Sequence, residues 1–130
     1  MPKAGDSYEI ELKDAHLEWG KHRHTSTRGV VYGEGYLPIP RRKSKEYDIY
    51  NSNKAGANIV YNCSSVDGIL KEVKLKASGS QSSGDVYAKQ FQGDGDLQVI
   101  GGWYQKANAK VGDKVKISWT SSQDCIVELI

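Results

Sequence analysis

The stretch Lys114-Val115-Lys116-Ile117-Ser118-Trp119, Thr120-Ser121-Ser122-Gln123-Asp124, Cys125-Ile126-Val127-Glu128-Leu129-Ile130 decides the fold. Val115, Ile117 and Trp119 alternate with polar residues, which puts them on one face of a strand. The last six residues alternate nearly as well, and the polar five in the middle read as a hairpin connection. Two neighbouring strands, each with one apolar face, predict a half-buried β-sheet.

Upstream the same reading continues. Leu97-Gln98-Val99-Ile100 is predicted as a strand ended by Gly101-Gly102, and Trp103 to Ala109 as one or two helical turns. Strands are also expected over Asn58 to Asn62, Ile69 to Lys76 and Val86 to Phe91. Asp67-Gly68 is a tight hairpin signal, and the Ser/Gly run from Ala77 to Gly84 reads as a mobile tip. Tyr36-Leu37-Pro38-Ile39 looks extended, and Pro40 suits the first position of a short helix reaching about Tyr47, because its missing N–H costs nothing there. Near the start, Tyr8, Ile10 and Leu12 alternate with charged residues. Between Asp14 and Gly35 only Val30-Val31-Tyr32 could pair as a strand, and the remainder reads as a long projecting loop or ribbon. The sum is a mainly β protein, a seven- or eight-stranded open pseudobarrel with one or two short helices, because so many short strands need closure to bury one face and protect their edges.

At 130 residues the chain fits one domain, 1–130, with no internal repeat and no linker. Fourteen Gly, eight Tyr and three Trp agree with strands joined by turns. No apolar run is long enough to cross a bilayer, and MPKAGDSYEIEL lacks the apolar core of a signal peptide, which points to the cytoplasm and to no membrane partner. Cys63 and Cys125 lack metal or CxxC spacing and read as reduced core residues. The net charge of +2 excludes little, so its distribution matters. Residues 16 to 45 carry seven Lys/Arg and three His against two acids, Glu18 and Glu34.

Three segments, taken in order, resemble the B3-type DNA-binding pseudobarrel of plant transcription factors and of restriction endonuclease recognition domains. Thr25-Ser26-Thr27-Arg28-Gly29 followed by Gly35-Tyr36-Leu37-Pro38-Ile39-Pro40-Arg41-Arg42 is similar to the family's first arm and helix, with Val30 to Glu34 lengthening the loop. Phe91-Gln92-Gly93, then Leu97 to Ile100, then Gly102-Trp103 resembles its strand, turn and strand ending in a GW pair. Val111-Gly112-Asp113-Lys114-Val115 resembles the GD motif opening its penultimate strand. The resemblance implies sequence-specific binding of double-stranded DNA through two major-groove arms, probed by Lys21 to Gly29 on one side and by Gln90 to Gln98 on the other.

Within the first arm Arg23 and Arg28 suit guanine, since a planar guanidinium bonds O6 and N7 together, and Lys21 suits phosphate. His22, His24, Thr25, Ser26 and Thr27 supply further donors and acceptors, and Arg41 is expected to touch phosphate. In the second arm Gln90, Gln92 and Gln98 accompany Asp94 and Asp96. The family tends to be basic there; a carboxylate instead weakens phosphate attraction but can accept from cytosine N4. Surface solvation remains the alternative for each single cation, and a solvated helix face for Arg41-Arg42-Lys43-Ser44-Lys45.

His16, His22 and His24 lack a completing ligand set, so no metal or other cofactor is expected. Glu11-x-Lys13 and Glu72-x-Lys74 resemble half of a nuclease motif, but alternating strand exteriors explain both. No catalytic residue is assigned. The expected role is the target-recognition domain of a type II restriction endonuclease, with a fused or associated nuclease domain as partner. Two rivals stay open: a β-sandwich or barrel binding carbohydrate or protein through aromatic residues, and a small metal-dependent nuclease.

Overall fold

A computed structural model describes residues 2–17, 34–79 and 84–130. It is mainly β: seven strands form one nearly closed, barrel-like sheet, accompanied among the described residues by three short helices. In chain order these are β1 (Ser7–Glu11), α1 (Asp14–Leu17), β2 (Leu37–Pro38), α2 (Arg41–Glu46), β3 (Val60–Ser65), β4 (Val73–Ser78), β5 (Gln90–Gly93), α3 (Gln98–Lys106), β6 (Lys114–Trp119) and β7 (Asp124–Leu129). The sheet order is β1-β6-β7-β3-β4-β5-β2.

The C-terminal hairpin forms as its alternation predicts. Val115 pairs with Leu129 and Ile117 with Val127, and the Ser121 hydroxyl donates to the Asp124 carboxylate at 2.7 Å across the connecting turn. β1 adds to β6 with Tyr8 opposite Ile117 and Ile10 opposite Val115. On the outer side of these strands, Glu9 faces Lys116, Glu11 faces Lys114, and Lys116 faces Glu128. Opposite charges in register stabilise such a face, on which acids outnumber lysines.

All pairings are antiparallel except β3 with β7, which brings Cys63 opposite Cys125. Both thiols are reduced and buried, and the hydrogen-bonding contact with Cys125, together with burial, pushes the Cys63 thiol far up. The core centres on Trp119. Its ring meets Tyr8 of β1, Tyr61 of β3, Phe91 of β5 and Tyr47 after α2, at centroid distances between 6.0 and 6.2 Å. Rings from four parts of the chain on one indole is what a sheet curled on itself produces.

Three sequence expectations are corrected. Leu97-Gln98-Val99-Ile100 is not a strand: Gln98 to Ile100 open α3, whose Ile100, Gly101, Trp103 and Tyr104 are buried at helical spacing. Gly101 does not end an element; it lies inside α3, and Gly35 packs so closely against it that a Cβ on Gly35 would stand 2.9 Å from Gly101 Cα. Second, β3 and β4 lie a few residues later than their apolar runs suggested, with Glu72 at φ 49° in the connection. Third, Val86 to Phe91 is a strand only from Gln90 onward, after an isolated bridge between Tyr50 and Tyr87. The helix after Pro40 forms, with Pro40 just outside it. Val30-Val31-Tyr32 and Ser80 to Ser83 lie outside the described residues. No helix among the described residues is long and apolar enough to cross a membrane.

Candidate nucleic-acid interface

Alternation along β4 and β5 sorts their side chains. Leu75, Ala77 and Phe91 enter the core, so Lys74, Lys76, Ser78, Gln90 and Gln92 point outward. The register sets Lys76 beside Gln92 and Ser78 beside Gln90, with Pro38 of β2 opposite Gln90. The Gln90 amide Nε2 donates to Gln92 Oε1 at 3.1 Å, which fixes both amide planes. Unlike the outer face of β1, β6 and β7, the described outward positions of β4 and β5 carry two lysines and no acid.

This row lies between two points where hydrogen bonds tie separate parts of the chain together. At one end, residues 16 and 36 are joined by the Tyr36 N–H donating to the His16 carbonyl at 3.1 Å, so the two flanks of residues 18–33 are held side by side. Gly35 N–H donates to the Leu97 carbonyl, and Tyr104 Oη donates to the Tyr36 carbonyl at 2.7 Å, tying that point to α3. The His16 ring packs edge-on to Tyr36 with its Nδ1 accepting from the Lys13 amide. Burial, aided by the Lys13 charge, lowers its pKa, which favours the neutral ring.

At the other end, residues 84–89 are strapped to the segment after α2. Ile39 N–H donates to the Lys89 carbonyl, Ala88 N–H to Ile49 and Asn51 N–H to Val86. The Tyr50 and Tyr87 rings stack at 5.5 Å, with Lys54 over Tyr50 and Lys45 over Tyr87. Arg41 pairs with Asp85. The Tyr87 amide and that guanidinium hold the Asp85 carboxyl below its ordinary range. This end is rich in cations held on a rigid frame.

The residues singled out from sequence therefore separate. Lys21, His22, Arg23, His24, Thr25, Ser26, Thr27 and Arg28 lie outside the described residues, although the structure places the root of their segment. Gln90 and Gln92 are neighbours on the outer row. Asp94 and Asp96 are exposed in the turn after β5, where the Asp96 carboxylate accepts from the Gln98 amide, and Gln98 is the first residue of α3. The stretch Gln90 to Gln98 is thus a strand, a turn and a helix start rather than one projecting arm. Arg41 stands at the opposite end of β5 from Asp94. Lys74, Lys76 and Asp85 were missed; alternation in β4 could have found the lysines, whereas Asp85 matters only through a residue 44 positions earlier.

Trp103 and Trp119 are 1% and 2% exposed, so neither offers a ring face to a ligand. Trp103 instead donates to the Asp67 carboxylate at 2.9 Å, pinning α3 to the β3–β4 connection. Among the described residues no three of His, Cys, Asp and Glu gather as a metal site.

No family model matches the chain, and no curated protein matches it. Among solved structures, that of a hypothetical protein from Arabidopsis thaliana aligns with 100% of this chain and 94% of its own, with a TM-score of 0.56 and 9% identity. At that identity the likeness is one of fold.

Proposed function

We propose that this chain is a sequence-specific double-stranded DNA-binding module, the target-recognition domain of a type II restriction endonuclease acting in the cytoplasm. The observation that carries the proposal is the contrast between the two outer faces of the barrel: β1, β6 and β7 carry more acids than lysines, whereas β4 and β5 present Lys74, Lys76, Gln90 and Gln92, with Asp94 beside Lys74 at the end of the row as the acid nearest to it in register. A local excess of cations attracts a polyanion, and amides beside them can discriminate base edges. The 18–33 segment, with Arg23 and Arg28, is rooted at one end of this row and supplies the first arm. Lys45, Lys54 and Lys89 at the other end supply phosphate contacts. The chain alone performs no reaction; cleavage belongs to a fused or associated nuclease domain.

Selection from a pool of random duplexes tests the proposal. Recovery of one consensus is expected, with an affinity that falls by orders of magnitude as salt rises from about 50 to about 200 mM. A pool that stays random after repeated rounds, with binding indifferent to salt, overturns it.

A further inference from the structure

We propose that Arg41 reads the edge of a guanine and that Asp85 is the residue that positions it to do so; the inference rests on the DNA-binding proposal above. Arg41 opens α2 and projects from the barrel, its side chain 58% exposed, while the Asp85 side chain that accepts its NH1 donor is only 17% exposed. Asp85 is itself immobilised. Its Oδ1 accepts from the Tyr87 amide at 3.0 Å, and its carbonyl accepts from the side-chain amides of Asn51 at 2.8 Å and Asn53 at 2.9 Å. Asn51 is fully buried and bonds a second carbonyl, that of Tyr87. An exposed guanidinium is thus bonded to an anchored carboxylate.

Two physical consequences select a base over a phosphate. An Arg–Asp pair is close to neutral as a unit, so it has lost most of its attraction for the DNA backbone, but the guanidinium keeps its remaining coplanar N–H donors. Two such donors match guanine O6 and N7 in the major groove. Second, the pairing removes rotamer freedom before DNA arrives, which lowers the ordering cost of a bidentate contact. A phosphate contact needs charge and tolerates poor geometry; Lys45 and Lys54 nearby are suited to that. A guanine contact needs geometry first. The pair crosses 44 residues of sequence, joining α2 to the strap before β5.

The test compares wild type with Arg41→Lys and Asp85→Asn on the selected duplex and on duplexes altered one base pair at a time. Lysine keeps the charge and loses the planar fork. Asparagine keeps an acceptor for the Tyr87 amide and leaves the backbone carbonyl bonds of residue 85 intact, so both variants are expected to unfold within a few degrees of wild type. Both should lose roughly tenfold or more of the preference for G·C at one and the same position, with the salt dependence of binding unchanged in Arg41→Lys and steeper in Asp85→Asn, where Arg41 is no longer neutralised. A third variant, Arg41→Ala, separates the two contacts: if it weakens binding equally on every duplex and makes the salt dependence shallower, Arg41 is a phosphate contact and the inference is overturned. An intact preference in Asp85→Asn removes Asp85 from the positioning role. If wild type itself prefers no duplex, the DNA-binding proposal fails first, a result distinct from either.

Discussion

Tyr8 Oη donates a hydrogen bond to the Pro38 carbonyl at 3.2 Å and so joins β1 to β2, the two edges of the seven-stranded sheet. Tyr47 Oη reinforces the seam by donating to the Ser7 carbonyl at 2.8 Å. Edge strands β1 and β2 share no backbone ladder, so the barrel closes through tyrosine hydroxyls and through packing on Trp119. Tyr8→Phe keeps the ring and removes the bond; a loss of about 1 kcal/mol in stability is expected from urea unfolding. An unchanged midpoint shows that the seam is held by packing alone.

Tyr61 makes the opposite case. Its ring is 1% exposed, and among the described residues its hydroxyl has no hydrogen-bond partner; burial pushes its pKa up to about 12. Deleting an unsatisfied buried hydroxyl removes a desolvation penalty, so Tyr61→Phe should be neutral or stabilising by up to about 1 kcal/mol. A clear loss in the same unfolding measurement means that the hydroxyl finds a partner in solution.

Gly93 closes β5, and a Cβ there would stand 1.8 Å from the Asp96 carbonyl oxygen. Gly93→Ala must therefore displace backbone in the turn that carries Asp94 and Asp96, at an expected cost of about 3 kcal/mol or more. Gly95→Ala, at φ +79° in open space, carries only backbone strain of about 1 kcal/mol. Thermal unfolding of the two variants ranks them, and Gly95→Ala proving the more damaging one refutes this description of the turn.

His16 couples pH to the root of the 18–33 segment. Its folded pKa is lowered, first by burial and then by Lys13, below the ordinary value near 6.5. The folded state therefore binds fewer protons than the unfolded state in the interval below 6.5. Stability is full above that pH and is lost as pH falls through the interval toward the folded pKa. Protonation also removes the Nδ1 acceptor for the Lys13 amide. NMR titration of the ring, assigned with His16→Asn, should give a midpoint below 6.5; a midpoint at or above it removes this pH dependence.

Much of the barrel was legible from local pattern. Strict alternation found β6, β7 and β1, and Pro38 and Pro40 marked an extended pair of residues before a helix, because these signals depend on immediate neighbours. The α3 error has a physical cause. Leu97 to Ile100 alternates well enough for a strand, and Gly101-Gly102 looks like a stop, but Gly101 lies within the helix, packed against Gly35, 66 positions away, which has no room for a Cβ there. Likewise, the parallel pairing of β3 with β7 leaves no local mark. At the interface, Gln90 and Gln92 were named for their chemistry, yet their common direction and their position between two roots follow from register. Asp85 was invisible because an acid beside a Ser/Gly stretch resembles any turn residue until Arg41 is brought against it.

Chemical-shift mapping with the selected duplex tests most directly where and whether DNA binds. The expected result is large shifts at Lys74, Lys76, Gln90, Gln92 and Arg41, while Glu9, Glu11, Lys114, Lys116 and Glu128 on the charge-paired face stay unmoved. Shifts confined to that second face, or none with any duplex, would refute the assignment of β4 and β5 as the DNA-facing surface.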